Sequence, residues 1–197
     1  MSERRVIIIG GGIGGLALGL TLLQIGVRCS IYESVRSLKP LGVGINLQPN
    51  AVRELYELGI GTEILDKVGL PVKEWALVGM QGQDIYSEPR GNFAGYNWPQ
   101  YAVHRGEFHM ALYHRFLDVV GAEAFHSGHR AKSYRIQEDG RASVTFETAT
   151  DTVTETADLV IAADGIHSAI RAQMYPCLLY TSPSPRDLST SRMPSSA

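Results

Sequence analysis

Val6 to Ile9 is an unbroken apolar, β-branched run, the mark of a parallel strand buried on both faces, and it leads straight into Gly10-Gly11-Gly12-Ile13-Gly14-Gly15. Ile13, Leu16, Ala17, Leu20 and Leu23 then recur at helical spacing up to Gly26, which is placed to end a helix, and Val27 to Glu33 reads as a second strand. The pattern predicts a β-α-β unit. After it comes a loop, Leu41 to Asn50, Gly-rich yet too apolar for a plain solvent excursion, and then a short helix over Ala51 to Leu58 closed by Gly59. Val72 to Gly79 and Gln83 to Ser87 read as strands, and Gln100 to His104 reads as another that ends at Arg105. Phe108, Leu112, Phe116 and Val119 follow Arg105 at helical spacing. Asp139-Gly140 is a hairpin turn between strands Ala131 to Glu138 and Ala142 to Glu147, and Thr152 to Thr156 adds a third strand to make a meander. Leu159 to Ala163 is a buried strand running through Asp164-Gly165 into a helix that carries Ile170 and Arg171.

Composition narrows the class. The chain has 197 residues, 44% hydrophobic and 19% charged, enough for one good core or one domain with part of a second. Net charge is −2, so nothing in bulk electrostatics draws it to nucleic acid or to an anionic membrane, and a small molecule is the expected partner. Two cysteines, Cys29 and Cys177, are too few for a disulfide framework or a zinc cluster and fit a reducing, cytoplasmic setting. No charge occurs from Val6 to Val27, behind Arg4 and Arg5, which a hydropathy window would take for a signal or membrane segment. The glycines argue against that, because a Gly-rich break after a short β-branched run is poor helix material.

The glycine cluster is the leading chemical feature. Gly10 suits a tight turn, Gly12 lets backbone approach a diphosphate without a Cβ, and Gly15 lets the helix pack close to the strand. The unpaired N–H groups of Ile13, Gly14 and their neighbours at the helix start face the anion. Glu33, at the end of the second strand, can accept from ribose hydroxyls and would repel a 2′-phosphate. The competing reading is a purely structural glycine turn. Cys29 reads as a small core residue. Arg105 at a strand-to-helix junction could grip phosphate oxygens or form a surface ion pair. Asp164 is placed to cap the helix behind it, ordering a turn rather than touching phosphate, since a bare carboxylate and a diphosphate repel. Phe93, Tyr96, Trp98 and Tyr101 could line an aromatic pocket or be ordinary packing. The six histidines show no metal spacing; His109 and His114 lie five apart, so most read as surface or polar-satisfaction residues, and no metal is expected. No nucleophile–base or paired-carboxylate set stands out, so the catalytic residues stay unassigned and the hard chemistry falls to a cofactor.

An NAD dehydrogenase would soon repeat helix and strand after Glu33, and this chain does not. Instead its "GVGINLQPNAVREL" segment resembles the FAD-dependent aromatic hydroxylases, the single-component flavoprotein monooxygenases. The "PLGVGIN", "SEPRG" and "HRGE" stretches are most similar to the phenazine hydroxylases within that family. The resemblance implies an α/β, Rossmann-like FAD-binding fold of the GR2 type with a three-stranded meander and the start of a substrate-domain sheet, to which about 72–104 contribute. It assigns Gly10, Gly12, Ile13, Gly14, Gly15, Glu33, Gly44, Arg105, Asp164 and Gly165 to FAD. It further implies that NADH or NADPH binds transiently and reduces the flavin, that dioxygen adds at C4a, and that the resulting hydroperoxide hydroxylates a small aromatic or heteroaromatic, phenazine-like substrate. A reductase or dehydrogenase of the same superfamily, or a non-catalytic nucleotide-binding fragment, would share the quoted motifs and stays open.

The domain division falls at Pro176. In 177–197 more than half the residues are Ser, Thr or Pro and the apolar periodicity stops. Cys177 to Asp187 back-translates into what resembles the end of a transposon-type sequencing adapter, and Ser191 to Ala197 into its flow-cell end, with Leu188, Ser189 and Thr190 in the place of an index. The expectation is a native 1–176 portion of an FAD-binding monooxygenase domain and a non-native, disordered tail. The family's later Gly-Asp flavin motif and the rest of the substrate domain are missing, so the chain reads as truncated and inactive as written.

Overall fold

The structure, a computed structural model, describes residues 4–176. The expected tail lies outside the described residues. In chain order the elements are β1 (Val6–Ile9), α1 (Ile13–Gln24), β2 (Cys29–Tyr32), β3 (Gly44–Leu47), α2 (Pro49–Glu57), α3 (Thr62–Val68), β4 (Gly69–Val72), β5 (Glu74–Val78) and β6 (Asp84–Pro89). Then follow β7 (Gln100–His104), α4 (Arg105–Val120), β8 (Phe125–His126), β9 (Arg130–Ile136), β10 (Ala142–Glu147), β11 (Thr152–Ala157), β12 (Leu159–Ala162) and α5 (Ala169–Met174).

The expected α/β architecture is present. A parallel sheet runs β12-β1-β2-β8, the meander is β11-β10-β9, a third sheet is β3-β7-β4, and β5-β6 is a separate hairpin. The pleat of β1 divides the core: Val6 and Ile8 join α1 and α4 on one face, while Ile7 and Ile9 meet Tyr32, Val144, Phe146 and Ile170 on the other. Each such buried side chain contributes about 1.5–3 kcal/mol by leaving water. Gly19 sets the α1–α4 approach, since a Cβ there would stand 2.7 Å from the Phe116 ring. Cys29 is buried, as expected of a core residue, and burial pushes its thiol up to about 11.

Several elements differ from the sequence reading. The stretch read as a loop contains β3, which pairs Gly44 with His104 and Leu47 with Tyr101. Gly and Asn are weak strand formers, so only the partner strand makes this segment extended. The helix read over Ala51 to Leu58 begins earlier, with Pro49 at its first position. The strand read from Val72 to Gly79 is two: β4 ends at Val72 in one sheet and β5 begins at Glu74 in another, so 72–104 is shared between sheets. Helix α3 and the two-residue β8 carry too few residues for a periodic signal and are stabilised by packing. No helix among the described residues is long and apolar enough to cross a membrane.

Candidate cofactor site

The glycine turn leaves β1 at Gly10, whose φ of +105° suits glycine and whose N–H donates to the Tyr32 carbonyl at 2.8 Å. A Cβ at Gly10 would stand 2.4 Å from the Ala163 carbonyl oxygen, and one at Gly15 would stand 1.9 Å from that of Gly10. Gly15 therefore seats α1 against the turn, as the spacing predicts. At Gly12 and Gly14 a Cβ would meet nothing within 4 Å. Gly12 is the N-cap of α1 with no side-chain cap, so the first N–H groups of a twelve-residue helix remain unpaired by side chains at an open face.

Glu33 lies just past β2 and turns back under the glycines. Its Oε2 accepts the Gly11 N–H at 2.6 Å, and its Oε1 accepts the Ser34 hydroxyl and the Val35 N–H, each at 2.9 Å. Beside it lies a cavity of about 460 Å³ lined by Gly10, Gly12, Glu33, Asp164 and Gly165, so five of the expected residues, remote in sequence, share one wall. Ser34, His129, Arg130, Lys132 and His167 also line it, and sequence reasoning missed them. No motif marks them; the meander brings β9 to the mouth.

Asp164 requires a correction. It does not cap α5: Ser168 is the N-cap, its hydroxyl accepting the Arg171 N–H at 2.9 Å. Asp164 Oδ1 is buried without a hydrogen-bond partner among the described residues. An orphaned acceptor costs about 1–3 kcal/mol unless something donates to it. Gly165, φ +79°, makes the turn that follows.

Arg105 and Gly44 stand apart from that wall. The Arg105 N–H donates to the Val43 carbonyl at 3.0 Å as Gly44 pairs with His104, so the two share one end of the β3–β7 ladder. The Arg105 guanidinium is exposed, with no acceptor among the described residues. One turn along α4, His109 Nε2 lies 2.6 Å from the Gly11 carbonyl oxygen, which places this helix start beside the glycine turn. His109 is thus more than a surface histidine. The aromatic quartet disperses: Tyr101 is buried with its hydroxyl on Asp66 at 2.7 Å, Trp98 packs against Tyr56, and Phe93 and Tyr96 are exposed. At the other end of β3 and β7, Gln48, Trp98, Tyr96 and Gln100 line a further cavity of about 780 Å³. No cluster of three metal-ligating side chains occurs among the described residues.

An uncrowded helix start, two glycines open to the solvent side, a carboxylate at the end of β2 and an orphaned buried acceptor are the donor and acceptor set of a dinucleotide. They define a dinucleotide-binding α/β domain. The chain matches the family described as FAD binding domain over residues 3–176, and it belongs to that family. FAD is therefore its dinucleotide, and the residues present fit it: anion donors at the turn, acceptors at Glu33 and Asp164. The chain is 37% identical over 178 residues to phenazine 1,6-dicarboxylic acid hydroxylase of Lysobacter antibioticus, covering 89% of this chain and 44% of that protein. It is 32% identical over 173 residues to 6-hydroxynicotinate 3-monooxygenase of Pseudomonas fluorescens, covering 86% of this chain and 43% of that one. The fold matches Klebsiella pneumoniae HpxO solved with FAD and uric acid at a TM-score of 0.69 and 29% identity, covering 87% of this chain and 42% of that one. The chain thus spans less than half the length of these relatives.

Proposed function

We propose that the full-length protein is an FAD-dependent, NAD(P)H-consuming monooxygenase that hydroxylates a small aromatic or heteroaromatic, phenazine-like substrate with dioxygen in the cytoplasm. The observation that carries this is the glycine turn with its orphaned acid, in a chain whose relatives include a phenazine dicarboxylic acid hydroxylase and a hydroxynicotinate monooxygenase. FAD supplies the redox and oxygen chemistry. The chain's own residues bind and orient it: Gly12, Ile13 and Gly14 present backbone N–H groups to the diphosphate, while Gly10 makes the turn and Gly15 seats the helix against it. Glu33 accepts from the ribose, Asp164 and the Gly165 turn receive a donor from the cofactor, and Arg105, with Gly44 beside it, contacts the flavin nucleotide. The cavity at Trp98 and Tyr96 is lined mostly by polar and charged groups, among them Arg53, Glu88, Arg90 and Gln100, and two rings beside such groups suit a flat heteroaromatic that carries polar substituents.

Purified full-length protein should be yellow and should oxidise NADH or NADPH faster when a phenazine carboxylate is present, with oxygen uptake and one atom of dioxygen in the product, either added to the ring or in place of a carboxyl group lost as carbon dioxide. Nucleotide oxidation with no oxygen incorporated into any aromatic tested makes it a reductase instead; flavin binding with no turnover makes it a binding module. Residues 177–197 belong to the same proposal as adapter-derived sequence, supported by a family match that stops at 176. Sequencing the genomic locus past codon 176 tests it, and finding the same 21 residues encoded there would refute it.

A further inference from the structure

We propose that His109 is a positioning residue for the cofactor diphosphate: its contact with Gly11 aims the Gly12 N–H at the anion. This rests on the FAD-binding reading above. A carbonyl oxygen only accepts, so His109 Nε2 carries the proton and donates to Gly11 across 2.6 Å. That oxygen belongs to the Gly11–Gly12 peptide. In a trans peptide the C=O and N–H point in opposite directions, so holding the oxygen toward α4 turns the Gly12 N–H away from α4. On the free side of Gly12 a Cβ would meet nothing within 4 Å, and Gly12 lines the cavity shared with Glu33 and Asp164.

Glycine peptides rotate easily, and a run of three has no side chains of its own to order it. This turn is held from outside at three successive points. Gly10 N–H goes to the Tyr32 carbonyl at 2.8 Å, Gly11 N–H to Glu33 Oε2 at 2.6 Å, and Gly11 C=O to His109. The first two come from β2 and its end, the third from α4 on the opposite flank. Tyr32 and Glu33 hold the two peptides before it, so without His109 none of the three contacts fixes the Gly11–Gly12 peptide, and donors aligned in advance bind an anion more tightly than donors that must first be ordered. Because His109 follows Arg105 by one helical turn, the same helix start that carries the exposed guanidinium also sets the glycine loop.

The test uses the full-length protein and three substitutions. H109Q keeps a terminal N–H at similar reach, H109N is too short to reach, and H109L has no donor. Affinities for FAD, ADP and riboflavin are measured by calorimetry on flavin-stripped protein. Wild type and H109Q should agree within about twofold for all three ligands, while H109L and H109N should lose about tenfold for FAD and ADP and nothing for riboflavin. Equal ADP affinity in H109L and wild type overturns the assignment, as does an H109Q as weak as H109L, or a riboflavin affinity that falls by the same factor. Should H109L not fold, the H109Q and H109N pair decides on the same criteria. A wild type that binds neither FAD nor ADP overturns the FAD-binding reading itself, which a change confined to the variants does not.

Discussion

Gly12 and Gly15 stand three positions apart in one turn and serve opposite needs. Gly15 is required by packing, since a methyl would lie 1.9 Å from the Gly10 carbonyl oxygen. G15A should therefore lower the urea unfolding free energy by about 3 kcal/mol, the upper end of ordinary overpacking. Gly12 has φ −73°, which any residue adopts, and open space where its Cβ would be. G12A should leave unfolding within about 0.5 kcal/mol of wild type and weaken FAD binding more than about tenfold, because the methyl occupies the approach of the diphosphate. A G12A protein that binds FAD normally would separate this turn from the cofactor. Asp164 makes the complementary case. Its orphaned oxygen destabilises the flavin-free protein, so D164A should raise the stability of that form by about 1 kcal/mol while lowering FAD affinity. Melting curves with and without FAD would show the two effects with opposite sign.

At the scale of elements, the meander meets the parallel sheet through a stack of rings. Tyr32 at the end of β2 lies 4.4 Å from the His126 ring and 4.5 Å from the Phe146 ring, with His129 edge-on at 5.4 Å. Burial first, and the neighbouring His129 second, hold the His126 pKa below its ordinary 6.5, against an upward pull from Glu155; Arg5 adds a small downward push. The neutral ring is thus the form the fold accepts. An unfolded chain takes up this proton near 6.5, the folded chain only at lower pH. The stability from neutral His126 is present above 6.5 and is lost as pH falls through the folded value. Melting temperature measured from about pH 8 to about pH 5 should fall on the acid side, and H126F, which keeps the stack and cannot titrate, should flatten that slope. An unchanged slope in H126F would place the acid sensitivity elsewhere.

Over the whole molecule, the hairpin β5–β6 exposes Trp75, Leu77, Val78, Ile85 and Tyr86, with Met80 at its turn. Leu77 pairs with Tyr86, so Trp75, Leu77 and Tyr86 share one face and Ile85 points to the other, and apolar side chains exposed on both faces of a two-stranded hairpin mark a surface meant to be covered. The 197-residue chain should elute in gel filtration as aggregate with little FAD, and the full-length protein as a discrete yellow species. A soluble monomer of the short chain that keeps stoichiometric flavin would contradict this.

The β1–turn–α1–β2 unit was legible because its signals are local: a β-branched run, glycines at fixed offsets and a helical apolar repeat lie within 33 residues. The meander was legible for the same reason, with Asp139-Gly140 marking its first turn. Those short-range patterns determine that this chain builds a nucleotide-binding α/β domain. Tertiary structure alone decided the rest. The extension of Gly44 to Leu47 exists because β7 pairs with it, Asp164 is left unpaired because Ser168 takes the cap, and Glu33 and His109 converge on Gly11 from different elements. Such contacts join residues far apart in the chain, and no periodicity or local propensity carries information about which distant side chain will arrive.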